Sequence, residues 1–250
     1  RPMQTWCAIG DSFTYLNDHL DETGGIVARG YLSRALDKLP PLCLRNLGIN
    51  GSTTRDWLTA PLVPADVYTI LLGTNDWHQG IPLGDRAAFR DGAPGTILGN
   101  LGNLLGRLRA LSPQARVLVC NPVERADFVY LFDPYNNAPG SYAPEHGQTL
   151  AGIARGIYDA CRAEGVPALD LHGRSGITPE NAVRFKRVRT ADGVRDLPYP
   201  DYAGLPFDPE KDPYPYPPEA RALTYDGLHP TDEGNEILAA LLAEALRPLL

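Results

Sequence analysis

The sequence lacks features that would mark a membrane, nucleic-acid-binding or zinc-binding protein. No apolar run approaches the ~18 residues that predict a membrane-spanning helix,. Acidic residues outnumber basic ones and the formal net charge is −7, whereas a nucleic-acid-binding protein is expected to carry a basic face. The four cysteines show no CxxC spacing, so we do not expect a zinc site,. What remains has the composition of an ordinary soluble globular chain, 43% hydrophobic and 21% charged,.

The cysteines and the first residue leave the cellular compartment open. Cys7, Cys43, Cys120 and Cys161 are expected to be buried free thiols, with a Cys7–Cys43 bridge as the alternative if the first two strands are neighbours,. The chain opens with Arg1 instead of methionine. We therefore favour a secreted or periplasmic protein whose signal segment has been removed,. A cytoplasmic location is the alternative. The sequence does not indicate an oligomeric state.

Five short apolar runs predict strands, and helical patterns alternate with them. The strands are expected at residues 5–9, 42–47, 67–72, 117–120 and 168–171,. This alternation predicts a three-layer α/β/α sandwich with a five-stranded parallel sheet and helices on both of its faces. Because neither an internal repeat nor a linker interrupts the chain, residues 1–250 are expected to form one domain.

Apolar spacing and capping residues predict the helices. They are expected at residues 27–39, 96–111, 149–164 and 231–246, with a further short helix capped by Thr53 or Thr54 and ending at Leu58,. Two segments, residues 121–148 and 198–218, are too long and too rich in proline and tyrosine to be plain connections,. We expect both to form walls around a functional site.

A serine follows the first predicted strand directly. Gly10 permits a sharp turn there, which would place Asp11 and Ser12 at the carboxyl end of the strand, where open α/β sheets hold their chemistry,. A serine hydroxyl becomes a nucleophile only when a base takes its proton. His229 is a candidate base, and Asp226, three residues earlier, is a candidate for orienting its imidazole,.

Gly-Asp-Ser alone would be an ordinary turn sequence, but two more motifs accompany it. Residues 46–51, read as NLGING, and residues 73–76, read as GTND, also follow predicted strands. With the Asp-Gly-Leu-His sequence at 226–229, these motifs resemble, in order, those of the SGNH hydrolases, also called GDSL esterases and lipases. The resemblance extends over residues 10–229 and implies a flavodoxin-like sandwich.

The resemblance also implies roles for particular residues. Ser12 would be the nucleophile, His229 the base and Asp226 its orienting acid,. The oxyanion hole would consist of the Ser12 N–H, the Gly51 N–H and the Asn75 side-chain amide, with Gly48 as the alternative to Gly51,. Neither a metal nor an organic cofactor is expected.

Four further residues are candidates for the substrate pocket. Asp11 and Phe13 flank the serine, and Trp77 and His78 follow Asn75, although Trp77 could equally be a buried plug. A basic run at residues 184–189 is interpreted as a solvated face, with contact to an acidic substrate as the alternative.

The function predicted from these residues is hydrolysis of a carboxylic ester through an acyl-enzyme. An oligosaccharide or other small-molecule O-acetyl ester is the preferred substrate, because the chain is acidic and its tyrosine-rich loops could stack on sugar rings. A lipase or thioesterase acting on longer acyl chains is the alternative. A relative that only binds a glycan is a third reading, which the intact serine, histidine and aspartate disfavour.

Overall fold

A computed structural model describes residues 2–250. Its strands are β1 (Gln4–Gly10), β2 (Leu42–Asn46), β3 (Val67–Leu71), β4 (Arg116–Cys120), β5 (Phe128–Val129), β6 (Asn137–Ala138), β7 (Ala168–Leu169), β8 (Lys186–Thr190) and β9 (Gly193–Leu197). Its α-helices are α1 (Ser12–Tyr15), α2 (Tyr31–Leu36), α3 (Thr74–Gln79), α4 (Arg86–Asp91), α5 (Ile97–Leu111), α6 (Leu150–Ala163), α7 (Leu171–Arg174), α8 (Pro179–Ala182) and α9 (Asp232–Leu246).

The central sheet has five parallel strands in the order β2-β1-β3-β4-β7. Strand β1 lies between β2 and β3, and its Ala8 is in register with Asn46 on one side and Thr69 on the other. The chain reverses its direction of travel across the sheet at β1, and in open α/β sheets a ligand crevice lies outside the carboxyl ends of the strands at this point. The predicted α/β fold is confirmed.

Two apolar clusters cover the two faces of the sheet, and β1 contributes to both. Trp6 and Ala8 belong to the cluster that includes side chains of α2 and α9, whereas Cys7 and Ile9 belong to the one that includes α5 and α6. This division follows from the strand's period of two, which points successive side chains to opposite faces. Burial on both faces explains why β1 and β3 have nearly continuous apolar sequences.

Helix α5 contains glycines where another chain segment approaches closely. A Cβ on Gly99 would overlap the carbonyl oxygen of Ala93, and one on Gly102 would overlap that of Phe89. Gly106 lies one turn further along, is exposed, and has no neighbouring atom within 4 Å of a built Cβ. The glycines that interrupt the leucine pattern therefore include two that allow α4 and the residues after it to pack against α5.

The first predicted helix is shorter than its sequence pattern indicates. The prediction of 27–39 is wrong at both ends, because α2 starts at Tyr31 after Gly30 and ends at Leu36. The backbone N–H groups of Ala28 and Arg29 donate to the Asp232 carboxylate at 3.0 and 3.2 Å. Ala28 and Arg29 are thereby bound to the first residue of α9. These tertiary hydrogen bonds compete with a helical conformation of residues 28 and 29.

Two other boundaries also need correction. The fifth sheet strand ends at Leu169, since Asp170 caps α7 by accepting a hydrogen bond from the Gly173 N–H. Neither threonine caps the short helix after β2. That helix is a 3₁₀ turn, Asp56–Leu58, and the hydroxyl of Thr54 instead donates to Asp76 at 2.6 Å.

The two long segments and the region between them contain small antiparallel hairpins. Strands β5 and β6 pair inside residues 121–148, and β8 pairs with β9 just before residues 198–218. The basic run at 184–189 is not a uniformly solvated face, which corrects the sequence interpretation. Lys186 is 2% exposed and forms an ion pair with Asp127 at 2.8 Å.

The four cysteines are free thiols, three of them buried. Cys43 is exposed on the edge strand β2, so the prediction that it is buried is wrong. The alternative bridge is absent, since the register pairs Cys43 with Thr5 and Cys7 with Arg45.

Among residues 2–250, we find no helix that combines the length and the apolar character needed to cross a membrane.

Candidate active site

Ser12 lies at the junction of β1 and α1, at the carboxyl edge of the sheet. Gly10 is required there because a Cβ would overlap the side chain of Thr14. Asp11 caps the helix by accepting a hydrogen bond from the Phe13 N–H at 3.0 Å. The Ser12 N–H belongs to the first turn of α1, where an α-helix has no internal acceptor,. The junction thus presents both a hydroxyl and a backbone donor.

The side chains of Ser12, His229 and Asp226 form one hydrogen-bonded chain. Ser12 Oγ lies 2.8 Å from His229 Nε2, and His229 Nδ1 lies 2.6 Å from Asp226 Oδ2. A carboxylate can only accept, so Nδ1 carries the hydrogen and Nε2 is left to accept from the serine hydroxyl. The residues in contact are 217 positions apart in the sequence.

The turn that carries His229 is held by its own backbone. Asp226 Oδ1 accepts from the N–H groups of Leu228 and His229 at 2.9 and 2.7 Å, so both carboxylate oxygens have partners. Gly227 has φ +93°, and a Cβ there would overlap the carbonyl oxygen of Asp127. The Ala126 N–H donates to Gly227 O at 2.9 Å, which joins the turn to the segment leading into β5.

Aromatic rings surround the imidazole. Phe128 meets the His229 ring edge-on at 5.4 Å between centroids, Phe13 lies at 5.8 Å, and Tyr225 stacks at 6.1 Å. The His229 side chain is 12% exposed. These rings limit its rotation and water's access to it, while Nε2 faces the serine.

Two loops from neighbouring strands bring the candidate oxyanion donors to this edge. Asn75 Nδ2 donates to Ser52 O at 3.0 Å, and Ser52 Oγ donates to Gly10 O at 3.2 Å. Gly51 has φ +73° and is exposed. Gly48 has a structural role, because a Cβ there would overlap the backbone of Tyr15.

Two carboxyl groups are buried beneath these loops. Burial raises the pKa of Asp11 to about 7 and that of Asp76 to about 6, despite the hydrogen bonds that both accept. Asp76 accepts from both the N–H and the hydroxyl of Thr54. The loop of Gly51 is thereby linked to the helix that carries Asn75.

Arg125 is a residue near the site that the sequence did not single out. Its guanidinium is 1% exposed, lies 5.1 Å from the Trp77 ring and donates from Nη1 to Thr74 Oγ1 at 2.9 Å. Burial lowers its pKa to about 10. Since Thr74 precedes Asn75, Arg125 helps to fix the turn that carries the candidate amide donor. It lies in a loop without periodicity, so no local pattern marks it.

The structure supports only part of the predicted pocket. Phe13 contacts His229, whereas Asp11 is 2% exposed and directed at the backbone of α1. Trp77 is 0% exposed and donates to Gln148 O at 2.9 Å, so it is the buried plug and not a pocket residue. His78 is directed at Glu145, with Nδ1 2.6 Å from Oε2. The placement of Asp11, Trp77 and His78 in the pocket is therefore corrected.

A small cleft of about 30 Å³ opens beside His229. Residues of the 121–148 segment form one of its walls, as expected of a wall segment, and the lining consists of Leu16, Glu22, Asn50, Tyr130, Leu131, Tyr225, Asp226 and His229. Residues 198–218 do not line this cleft. They support its wall from behind, where the Tyr214 hydroxyl donates to Val129 O at 3.0 Å.

Comparisons with known proteins agree with this architecture. The model of the GDSL-like lipase/acylhydrolase family matches residues 8–237. A crystal structure described as a "possible lipase" from Chitinophaga pinensis is 43% identical, with TM-score 0.95 and 98% of each chain covered.

More distant structures share the fold. A protein from Lactobacillus plantarum is 20% identical, with TM-score 0.60 and coverage of 100% of this chain and 99% of that one. The lipase/acylhydrolase from Enterococcus faecalis is 16% identical, with TM-score 0.51 and coverage of 98% and 96%. A comparison with curated proteins finds no match. From the family match over most of its length, we conclude that the chain belongs to the GDSL-like lipase/acylhydrolase family.

Proposed function

We propose that this hydrolase cleaves a short-chain carboxylic ester through an acyl-enzyme on Ser12, and that its substrate is a carbohydrate O-acetyl ester. The observation that carries the proposal is the 2.8 Å contact between Ser12 Oγ and His229 Nε2, with Asp226 on the other ring nitrogen. A nucleophile, a base and an orienting acid in hydrogen-bond contact are the arrangement that activates a serine.

In the first half of the reaction, Ser12 Oγ attacks the ester carbonyl carbon while His229 Nε2 takes its proton. Asp226 keeps the hydrogen on Nδ1 and stabilises the imidazolium that forms,. The tetrahedral intermediate then breaks its bond to the alcohol oxygen. The departing alcohol takes the proton from Nε2, and the acyl group remains on Ser12.

In the second half, water takes the place of the alcohol. His229 Nε2 accepts a proton from water as its oxygen attacks the acyl carbon. The second tetrahedral intermediate releases the carboxylic acid, and the proton on Nε2 returns to Ser12 Oγ. The residues regain their starting protonation states, so this route takes up no electron and no further reactant.

Three donors would stabilise the negative oxygen in both halves. They are the Ser12 N–H, the Gly51 N–H and the side-chain amide of Asn75, which come from three neighbouring strand ends,. The contact of Asn75 with Ser52 O supports this role, because it fixes the amide before any substrate binds. Donors that need no reorientation stabilise developing charge most effectively.

The size of the cleft supports a short acyl group. Its volume of about 30 Å³ is close to the space of two or three water molecules, since a single water needs at least ~10–15 Å³ measured this way,. An acetyl methyl group fits such a space, whereas a long alkyl chain would have to continue outside the cleft, along its rim.

The rim of the cleft supports a carbohydrate as the alcohol. Tyr130 lines the cleft and its ring lies 5.8 Å from that of Phe132, which is 61% exposed. Tyr135, three residues further along the same segment, is 62% exposed and donates its hydroxyl to Glu210. Exposed aromatic faces close to the cleft suit the flat, weakly polar faces of sugar rings.

A longer-chain esterase is the second candidate. The Chitinophaga pinensis relative is described as a "possible lipase", and exposed Phe132 and Tyr135 could also contact an acyl chain along the rim,. The two candidates differ in the dependence of rate on acyl length.

Initial rates on p-nitrophenyl acetate, butyrate and octanoate separate them. We expect kcat/KM to fall at least tenfold from acetate to octanoate, and we expect acetate release from acetylated xylo-oligosaccharides. Ser12→Ala, at equal folded concentration, controls for background hydrolysis. Octanoate as the best substrate, with no acetate released from the oligosaccharide, would favour the longer-chain alternative.

A further inference from the structure

A second pocket has Phe128 in its wall, the residue whose ring also meets the imidazole of His229. Its volume is about 250 Å³, and its walls combine aromatic rings with an ammonium, a carboxylate and an amide, from Phe128, Tyr142, Phe207, Lys186, Asp127 and Asn137. Phe128 therefore contacts both this pocket and His229. The volume lies just below the ~300–1,000 Å³ of typical small-molecule pockets, which suits one ring-sized group.

Lys186 contributes an ammonium that is not saturated by protein acceptors. It is 2% exposed, and among residues 2–250 its hydrogen-bond acceptor is Asp127 Oδ2 at 2.8 Å. An ammonium has three N–H donors, so two are not used by this acceptor. The rings of Tyr202 and Phe207 lie 5.7 and 5.9 Å from Nζ, and neither ring replaces a hydrogen-bond acceptor. A buried ion pair adds little net stability because desolvation offsets the Coulombic gain, and stability alone therefore does not account for a lysine in this wall.

The charge balance selects the kind of ligand. The Asp127 carboxylate neutralises Lys186, and its other oxygen accepts from the Gly140 N–H and the Tyr142 hydroxyl at 2.7 and 2.6 Å. The Tyr142 hydroxyl and the Asn137 amide already donate within the protein, so the pocket offers the remaining N–H bonds of Lys186 without excess positive charge. A neutral group with several hydroxyls matches this pattern better than an anion does.

The aromatic walls select its shape. Phe207 lines the pocket with its ring centroid 5.9 Å from Lys186 Nζ, and Tyr142 lies on another wall. Flat rings pack against the C–H faces of a pyranose while its hydroxyls meet the polar groups at the edge. The chemistry common to these walls is that of a neutral sugar unit.

We infer that this pocket is a subsite for a neutral, unacetylated sugar unit of the oligosaccharide whose acetyl ester reaches Ser12. The inference rests on the proposed function. It assigns a role to residues 198–218, which supply Gly204, Leu205 and Phe207 to the pocket without lining the cleft beside His229. Binding here orients the glycan and leaves the chemistry at Ser12 unchanged.

Phe207→Ala tests the subsite, with Phe207→Tyr as the conservative variant and Tyr158→Ala as a matched control. Tyr158 lies on α6, close to Arg162 and outside the lining of both pockets. On acetylated xylotetraose we expect Phe207→Ala to raise KM at least tenfold with little change in kcat. Phe207→Tyr and Tyr158→Ala should retain the parent KM, and all three should match the parent on p-nitrophenyl acetate.

Direct binding separates failure of this subsite from failure of the proposed function. Calorimetry on the Ser12→Ala protein should detect binding of unacetylated xylotetraose. Adding Phe207→Ala should weaken this affinity at least tenfold, and tetragalacturonate should bind more weakly than xylotetraose. Acetylated xylotetraose hydrolysed with an unchanged KM in Phe207→Ala would overturn the subsite and leave the function standing. Binding of xylotetraose through Phe207, with no acetate released from acetylated xylotetraose by the parent, would overturn the proposed function and leave the subsite standing. Tighter binding of tetragalacturonate than of xylotetraose would overturn the neutral-ligand assignment.

Discussion

The amide of Asn75 has two N–H bonds, and one of them is already used within the protein. Nδ2 donates to Ser52 O at 3.0 Å, which fixes the amide plane and leaves the second N–H for a substrate oxygen,. A donor held in this way meets the ester oxygen best when negative charge develops on it. Asn75 therefore belongs to the group of residues whose removal should affect turnover more than binding.

Asn75→Ala is expected to lower kcat by roughly 10²–10³, or ~2.7–4 kcal/mol, with little change in KM. Asn75→Asp should be worse, because it places negative charge where negative charge must form. Steady-state kinetics on p-nitrophenyl acetate, with the melting temperature measured on the same preparations, checks this. A folded Asn75→Ala protein with kcat within about threefold of the parent, well under 1.4 kcal/mol, would remove Asn75 from the mechanism.

Asp11 gives a second test at the residue scale, through stability and pH. Burial raises its pKa from an ordinary value of 3.8 to about 7 in the folded protein. The folded state therefore binds the proton more tightly than the unfolded state. The stability gained from this is fully present below the unfolded pKa and is lost as the pH rises through about 7.

Asp11→Asn should remove this pH dependence while its side-chain oxygen still accepts from the Phe13 N–H. We expect the melting temperature of the variant, relative to the parent, to be several degrees higher at pH 8 than at pH 5, since each kcal/mol shifts Tm by about 2–4 °C in a chain of this size. Thermal unfolding at the two pH values measures it. An offset that is the same at both would mean that Asp11 titrates normally.

At the scale of elements, α5 provides a matched pair of glycines. Gly102→Ala adds a methyl group that overlaps Phe89 O, whereas Gly106→Ala adds one into open space on the same helix. We expect Gly102→Ala to lower the free energy of unfolding by about 1–3 kcal/mol, the usual cost of overpacking. Gly106→Ala should raise it by roughly 0.5–1 kcal/mol, because alanine is the better helix former.

Urea denaturation of both variants and the parent checks the pair. The two substitutions share chemistry, helix and solvent conditions, so a difference in sign isolates the contact between α4 and α5. Equal stabilisation by both would show that α4 can move away from α5 at no cost.

The positions of helices and strands were predicted correctly where the sequence signal is local. The predictions failed where a residue distant in the sequence forms a contact. Helices α5 and α9 lie within the predicted ranges and begin one residue later than predicted, at Ile97 and Asp232, after the capping residues Thr96 and Thr231. The helix expected at 27–39 starts late because Asp232, some 200 positions away, binds the N–H groups of Ala28 and Arg29. No window of local sequence contains that bond.

Within the site, the motifs predicted which residues meet but not which way every side chain points. Ser12, Asp226 and His229 were paired from their motifs, and their side chains are in contact. Trp77 was left between pocket and plug, since the direction of a residue after a strand depends on what packs around it. Lys186 was expected in solvent. It is buried in an ion pair with Asp127, which lies in a different segment of the chain.

At the scale of the whole molecule, the parallel sheet is what brings the two ends of the chain together. The order β2-β1-β3-β4-β7 places the ends of β1 and β3 side by side, and α9 packs on the sheet face shared by Trp6 and Ala8. The turn just before α9 thereby holds His229 against Ser12, 217 positions away. We therefore expect the reactivity of Ser12 to depend on the complete fold and on His229.

Labelling with a fluorophosphonate probe, followed by peptide mapping, tests the identity of the nucleophile most directly. We predict one adduct, on Ser12, formed rapidly in the parent, at least 100-fold more slowly in His229→Ala, and not at all in Ser12→Ala. Melting temperatures of the variants, measured beforehand, confirm that each is folded. An adduct on Ser52 or Ser141 in the parent, or undiminished labelling of Ser12→Ala, would contradict the assignment of Ser12 as the nucleophile.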